Sequence, residues 1–186
     1  MHFTIDSDEG LPIRGNLDAP ANPRALAVVV HGFKGYKDWG FFPWMAETLC
    51  DHHLAVCRFN MSRSGIGENL DAFDRLDLFR DDTYSVQLAD LHTVVRHCRT
   101  LTKAPLFLLG HSRGGGVALL AAPDLEGLCG VATWNPISYL IEGFRSLFIS
   151  GWDGTALWRG FAVAIGLGVV ALLAVAGALR TRMQRT

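Results

Sequence analysis

Apolar residues along this chain come in two rhythms: short continuous runs of branched residues, and longer stretches that repeat every three or four positions. "HFTI" and "LPIRGNL" flank the turn-rich "DSDEG" and predict a hairpin, followed by a Pro-rich connection at "APANP". "ALAVVV" at 25–30 and "LAVCRF" at 54–59 are the unbroken apolar runs of strands buried on both faces. Between them Pro43 suits the first turn of a helix running to about His53, and strand, helix, strand implies a parallel crossover. After the Gly/Ser-rich "NMSRSGIGEN", the spacing of Tyr84, Leu88, Leu91, Val95 and Cys98 predicts an amphipathic helix from about Asp81 to Thr100. Asp81 and Asp82 then fall in its first turn, where the helix dipole favours anions. The strand "PLFLLG", a helix through about Ala122 stopped by Pro123, and a strand in "LCGVATW" at 128–134 extend the alternation. The class this predicts is α/β, a doubly wound, mostly parallel sheet.

Beyond about Tyr139 the rhythm ends. Residues 141–159 form an irregular, aromatic connector, 160–179 carry no charge, and 180–186 are a basic tail, so residues 1–140 read as the folded domain. As a helix, the 20 uncharged residues reach about 30 Å, the depth of a bilayer's hydrocarbon core, which makes 160–179 a candidate transmembrane helix. Ten of them are Phe, Ile, Leu or Val, each favouring insertion. Arg159 and Arg180 bracket the segment, but "RTRMQRT" after it is more basic than the flank before it, against the positive-inside tendency for a cytoplasmic domain. A buried helix is the alternative, and so is a coding sequence shifted out of frame or fused near residue 140, which would also explain a domain truncated before its last strands. Gly166, Gly168 and Gly177 form no Gly-x-x-x-Gly pair that would argue for helix dimerisation.

Composition narrows the picture. With 186 residues, 49% hydrophobic and 19% charged, the chain can bury one core. A net charge of -1 and a pI near 6.6 exclude a global basic field for nucleic acid. Five arginines, at 145, 159, 180, 182 and 185, against Glu142 and Asp153 give 141–186 a charge of +3 and leave -4 for 1–140. The N-terminus has neither a basic nor an apolar signal region, and the four cysteines are scattered singly, so the expected location is cytoplasmic, or membrane-associated and facing the cytoplasm. Cys50, His52, His53 and Cys57 have metal-like spacing but straddle a helix end and a strand. They read as buried thiols and surface histidines, and no metal or cofactor is expected.

The chemistry concentrates in "LFLLGHSRGGGVALL" at 106–120, a Gly-x-Ser-x-Gly between a strand and a small-residue helix. On such a turn Ser112 would project its hydroxyl at the carboxyl end of the sheet, with Gly110 and Gly114 giving room to a strained backbone and Gly114, Gly115 and Gly116 letting the helix approach the sheet. The bland alternative is a serine that only caps a helix. The amide of Arg113 can donate to a developing oxyanion, and "HGFKG" at 31–35, directly after a buried strand, offers the amide of Phe33 as a second donor.

Together with "DWGFFP", "NMSRSGIGE" and "LDLFRDD", these ordered motifs resemble the small α/β-hydrolase esterases related to dienelactone hydrolases and serine aminopeptidases, over about residues 1–140. The resemblance implies acyl transfer through Ser112 on a small ester-like substrate, with oxyanion donors at Phe33 and Arg113. It makes His31, with Gly32, a structural support of the oxyanion loop. Tyr36, Trp39, Phe41, Phe42 and Trp44 are candidates for an acyl pocket, half or more of them expected in the core. In that family an acid and a histidine follow the serine, yet no histidine follows His111 here. Asp124, Glu126, Glu142 and Asp153 are the later acids, of which only Asp153 lies loosely where a family acid could fall, and it reads as an ordinary loop residue. His111 should point away from its neighbour Ser112, and His2, His52, His53, His92 and His97 lie elsewhere. The expectations are therefore a serine hydrolase with an incomplete triad, or a non-catalytic hydrolase-like binding module. A sheet lacking its last strands is also expected to self-associate.

Overall fold

In a computed structural model of the chain, the branched run Ala25–Val30 becomes the strand on which the sheet turns. Residues 1–70, 72–134 and 152–183 are described, with the backbone only at 134, 156, 170, 171 and 174–183. Six strands, β1 (His2–Asp6), β2 (Pro12–Asp18), β3 (Ala25–Val30), β4 (Leu54–Asn60), β5 (Leu106–His111) and β6 (Leu128–Trp134), pair in the order β1-β2-β4-β3-β5-β6. The β1–β2 hairpin joins β4 antiparallel, whereas β4, β3, β5 and β6 run parallel. Every residue of β3 is buried because its two faces meet two separate layers of helix.

Alternation along β3 divides the core. Leu26, Val28 and Val30 pack with Leu91, Val94, Val95 and Cys98 of α3 (Tyr84–Leu101) and with Val117, Ala118 and Ala121 of α4 (Arg113–Ala121). Val29, on the other face, packs with Val56 of β4 and with Phe42 and Ala46 of α1 (Phe42–Asp51), whose first turn holds Pro43. Each fully buried branched side chain contributes about 1.5–3 kcal/mol. The chain leaves β3 for β4 by α1 and reaches β5, on the opposite side of β3, by α2 (Leu76–Arg80) and α3. This reversal of winding opens a crevice at the carboxyl ends of β3 and β5, the place where open α/β sheets bind ligands.

Three sequence expectations need correction. The helix expected from Asp81 begins at Tyr84, with Thr83 as its cap accepting from the Val86 amide at 3.3 Å. Asp81 and Asp82 precede it and are not dipole partners within its first turn. Short α2, unheralded by any periodicity, comes before them. On α3 the inward face is Gln87, Asp90, Leu91, Val94, Val95 and Cys98, while Tyr84 is exposed, so the buried stripe carries two polar residues that hydropathy alone would turn outward. Of Tyr36, Trp39, Phe41, Phe42 and Trp44 only Phe42 is core; Tyr36 is half-buried and Trp39, Phe41 and Trp44 are exposed, because α1 turns Phe42 and Ala46 to the sheet and leaves Trp44 outside.

Contacts divide the chain into two compact units, Met1–Trp134 and Asn135–Thr186. Within the second, α5 (Gly154–Met183) is preceded by Asp153, whose carboxylate accepts from the Thr155 amide at 2.9 Å. The transmembrane helix expected at 160–179 lies inside α5 but is not borne out: the side chains at 170, 171 and 174–179 lie outside the described residues, and among those described no helix is long and apolar enough to cross a membrane. Most of the expected connector and part of the basic tail also lie outside them.

Candidate active site

Strand β5 ends at His111, and the next residue reverses the backbone. Ser112 has φ 54° and ψ -122°, a left-handed conformation that costs a non-glycine residue about 1–3 kcal/mol. It stands at the N-terminus of α4, yet its side chain makes no capping hydrogen bond, which removes the helix-cap role as the reason for a serine there. Two glycines make the turn fit. A Cβ on Gly114 would lie 2.1 Å from the Val30 carbonyl oxygen, and one on Gly110 would lie 2.4 Å from Gly115 Cα, so the start of α4 rests directly on β3 and β5. Gly116 plays no such part, since a Cβ there would meet the Tyr84 ring at an ordinary 3.5 Å.

The loop after β3 closes over this turn. A Cβ on Gly32 would lie 2.9 Å from Ser112 Cβ, which puts the Gly32 backbone against the serine. His31 is buried, with Nδ1–H donating to the Gly32 carbonyl at 2.9 Å and Nε2 accepting from the Met61 amide at 3.3 Å. Burial, with lesser contributions from nearby Arg113 and His111, lowers its pKa to about 4, so it is neutral at physiological pH. Both ring nitrogens are engaged with the backbone. The loop is pinned further on: the Lys37 amide donates to Asn60 Oδ1 at 2.6 Å, and buried Arg58 bridges Asp38 at 2.5 Å and Asp18 at 2.9 Å. This anchor, built from β2, β4 and the loop, has no local sequence signature.

Phe33 is 61% exposed and packs its ring on Phe79 of α2 at 5.2 Å. Arg113 turns its guanidinium back to Asp82. His111 faces the α1 side, its ring 5.6–5.8 Å from those of Trp39, Phe41 and Phe42. Burial lowers its pKa. Phe41, Phe42, Met45, Leu109 and His111 line an apolar cavity of about 200 Å³ on that face. Of the other histidines, His2 is on β1, His52 and His53 follow α1, and His92 and His97 lie on α3, the His97 ring tilted at 45° against Phe3 with centroids 4.7 Å apart. The fold thus brings Ser112, Arg113, Gly32 and Phe33 to the carboxyl ends of β3 and β5 with His31 and His111 beside them, and places the other five histidines elsewhere.

The family model described as serine aminopeptidase, S33, matches residues 21–159. The chain belongs to that family. Its fold is shared with Est1E from Butyrivibrio proteoclasticus in a structure with ferulic acid bound, at 26% identity and a TM-score of 0.57, covering 69% of this chain and 50% of that one. A highly thermostable carboxyl esterase from Bacillus coagulans in complex with glycerol is similar at 21% identity and a TM-score of 0.61, over 80% of this chain and 50% of that one. The dienelactone hydrolase from Anabaena variabilis follows at 20% identity and 0.54, over 72% and 62%. This S33-family chain therefore spans about half the length of the esterases it matches. Among curated proteins none matches it.

Proposed function

We propose that this chain carries the acyl-transfer half of an α/β-hydrolase site acting on a small carboxylic ester. The observation that carries the proposal is the strained Ser112 at the carboxyl end of β5, with the Gly32 backbone against it. In this reading Ser112 Oγ attacks the ester carbonyl, and the amides of Phe33 and Arg113 hold the resulting oxyanion. Collapse expels the alcohol with the serine's proton and leaves an acyl-serine, which water hydrolyses. Two preorganised donors suit that step, each worth roughly 3 kcal/mol at the transition state. The esterase relatives, one with ferulic acid and one with glycerol bound, support an ester of a small organic acid as the substrate class.

The attack also needs a proton acceptor, and all seven histidines lie before Ser112. His31 has both nitrogens engaged, which favours a second reading: a module that binds the ester without turning it over. Without its base a triad site keeps only about 10³ to 10⁴-fold catalysis over water. A fluorophosphonate separates the two readings, because it reacts rapidly only with an activated serine. The expected result is one covalent adduct per chain by intact mass, abolished by Ser112→Ala. A folded sample that stays unlabelled overturns the catalytic reading and leaves the binding one.

We propose that α5 associates with a lipid surface, supported by Phe161, Ile165, Leu172 and Leu173, 61–72% exposed on a segment without charge from 160 to 179, and by Trp158, 70% exposed just before it.

A further inference from the structure

Arg113 follows the proposed nucleophile, and its amide is one of the two proposed oxyanion donors; its side chain does something else. Arg113 Nη1 donates to Asp82 Oδ2 at 3.2 Å, and Nη2 donates to the main-chain carbonyl of the same residue at 3.2 Å. The guanidinium carbon lies 4.8 Å from the centroid of the Tyr84 ring, close enough for a cation–π contact. The pair is sheltered, with side-chain exposure of 3% for Asp82 and 17% for Arg113. Asp82 is held in turn by Gln87 Nε2, which donates to the same Oδ2 at 2.6 Å. The Tyr84 ring also reaches the first turn of α4, at the distance of an ordinary contact from a Cβ on Gly116.

We propose that Asp82 and Tyr84 are positioning residues of the Ser112 site, clamping the Arg113 side chain so that its amide stays aimed at the oxyanion. The proposal rests on the acyl-transfer reading above. Its physical basis is that Arg113 follows a residue held in a left-handed conformation at a cost of about 1–3 kcal/mol. A turn under such strain relaxes unless both sides are held. The sheet holds the backbone through Gly110 before the serine and Gly114 after it, and the side-chain contacts on Arg113, between the two, add a tie to the segment capping α3. The clamp joins residues 31 apart in sequence, linking the starts of α3 and α4. It has the geometry that a rigid donor requires: two donors to one residue, an aromatic face, and shelter from water.

The test is a cycle of Asp82→Asn, Arg113→Gln and the double variant in the full chain, with Asp82→Glu as the conservative substitution. Two measurements are made on each: the fluorophosphonate labelling rate per folded molecule, and amide hydrogen exchange in peptides spanning 110–117. A shift of about 1 Å in a reacting group can cost 10²-fold, so Asp82→Asn should slow labelling by about tenfold to hundredfold. It should speed exchange at 112–116 while leaving β3 and β4 unchanged, the double variant should be no worse than either single, and Asp82→Glu should recover part of the rate. Unchanged local exchange in Asp82→Asn overturns the proposal, as does acceleration spread evenly over the domain, the mark of a pair that only adds stability. If wild-type chain does not label at all, the acyl-transfer reading fails on its own, and exchange at 112–116 still decides whether the clamp holds the turn.

Discussion

Two buried ionisable residues near the site oppose each other in their response to acid. Burial holds the pKa of His31 at about 4 against an ordinary 6.5, so the unfolded chain binds the extra proton first and stability falls as the pH drops from 6.5 toward 4. Asp90 behaves in the opposite sense. Burial raises its pKa from 3.8 to about 6, with the Ser62 amide, donating at 2.7 Å, opposing the rise and the charges of Asp82 and Glu9 adding to it. The folded chain then takes up the proton first, and stability grows as the pH drops through 6 toward 3.8. Each group contributes a slope of at most about 1.4 kcal/mol per pH unit, so over the shared window the two largely cancel. Urea midpoints of wild-type chain should change less between pH 4 and 6 than those of Asp90→Asn. Asp90→Asn should expose the His31 slope and lose stability on acidification, and a flat profile in that variant would contradict the assignment of a buried neutral His31.

At the scale of elements, the seating of α4 on the sheet gives two neighbouring glycines opposite roles. A methyl on Gly114 would press into the backbone carbonyl of Val30 at 2.1 Å, and backbone cannot yield as a side chain can. Gly114→Ala should cost about 3 kcal/mol or more and displace the turn at Ser112. Gly116 has only the Tyr84 ring nearby at 3.5 Å, so Gly116→Ala should gain the usual helix-interior increment of about 0.5–1 kcal/mol. Thermal melts of both variants check this, and equal signs would contradict the seating described. The same contrast explains what was legible beforehand. Strands such as Ala25–Val30 and Leu128–Trp134, and the turn at Ser112, are written in local pattern: branched runs, and glycines on either side of one serine. The start of α3 was not legible, because Asp81 and Asp82 look like dipole partners until Arg113, 31 residues after Asp82, is brought against it. Nor was the exposure of Trp39, Phe41 and Trp44, since an aromatic run carries no sign of which residues the first turn of α1 directs outward.

For the molecule as a whole, the two units differ in how apolar residues are spaced. In the first unit β3 is buried throughout under small and branched faces of the helices, while Phe33, Trp44, Leu119 and Leu120 stand exposed outside that core. In the second unit large apolar side chains from Trp158 to Leu173 are exposed along one helix, with no acidic or basic residue between Arg159 and Arg180. Burial of apolar surface is worth about 25 cal/mol per Å², so a helix with that much uncovered surface gains by leaving water. If a lipid surface is what covers it, full-length chain should float with neutral phosphatidylcholine vesicles in a density gradient. The double variant Ile165→Lys/Leu172→Lys should stay at the bottom, because a charged head on the apolar contact face must stay in water and so lifts that stretch of helix from the lipid. Neutral vesicles matter here, since anionic ones would also attract the five arginines after residue 140 and mask the apolar contribution. Flotation that survives both lysines would place the contact elsewhere in the chain, and no flotation of wild-type chain would end the lipid reading of α5 without touching the site at Ser112.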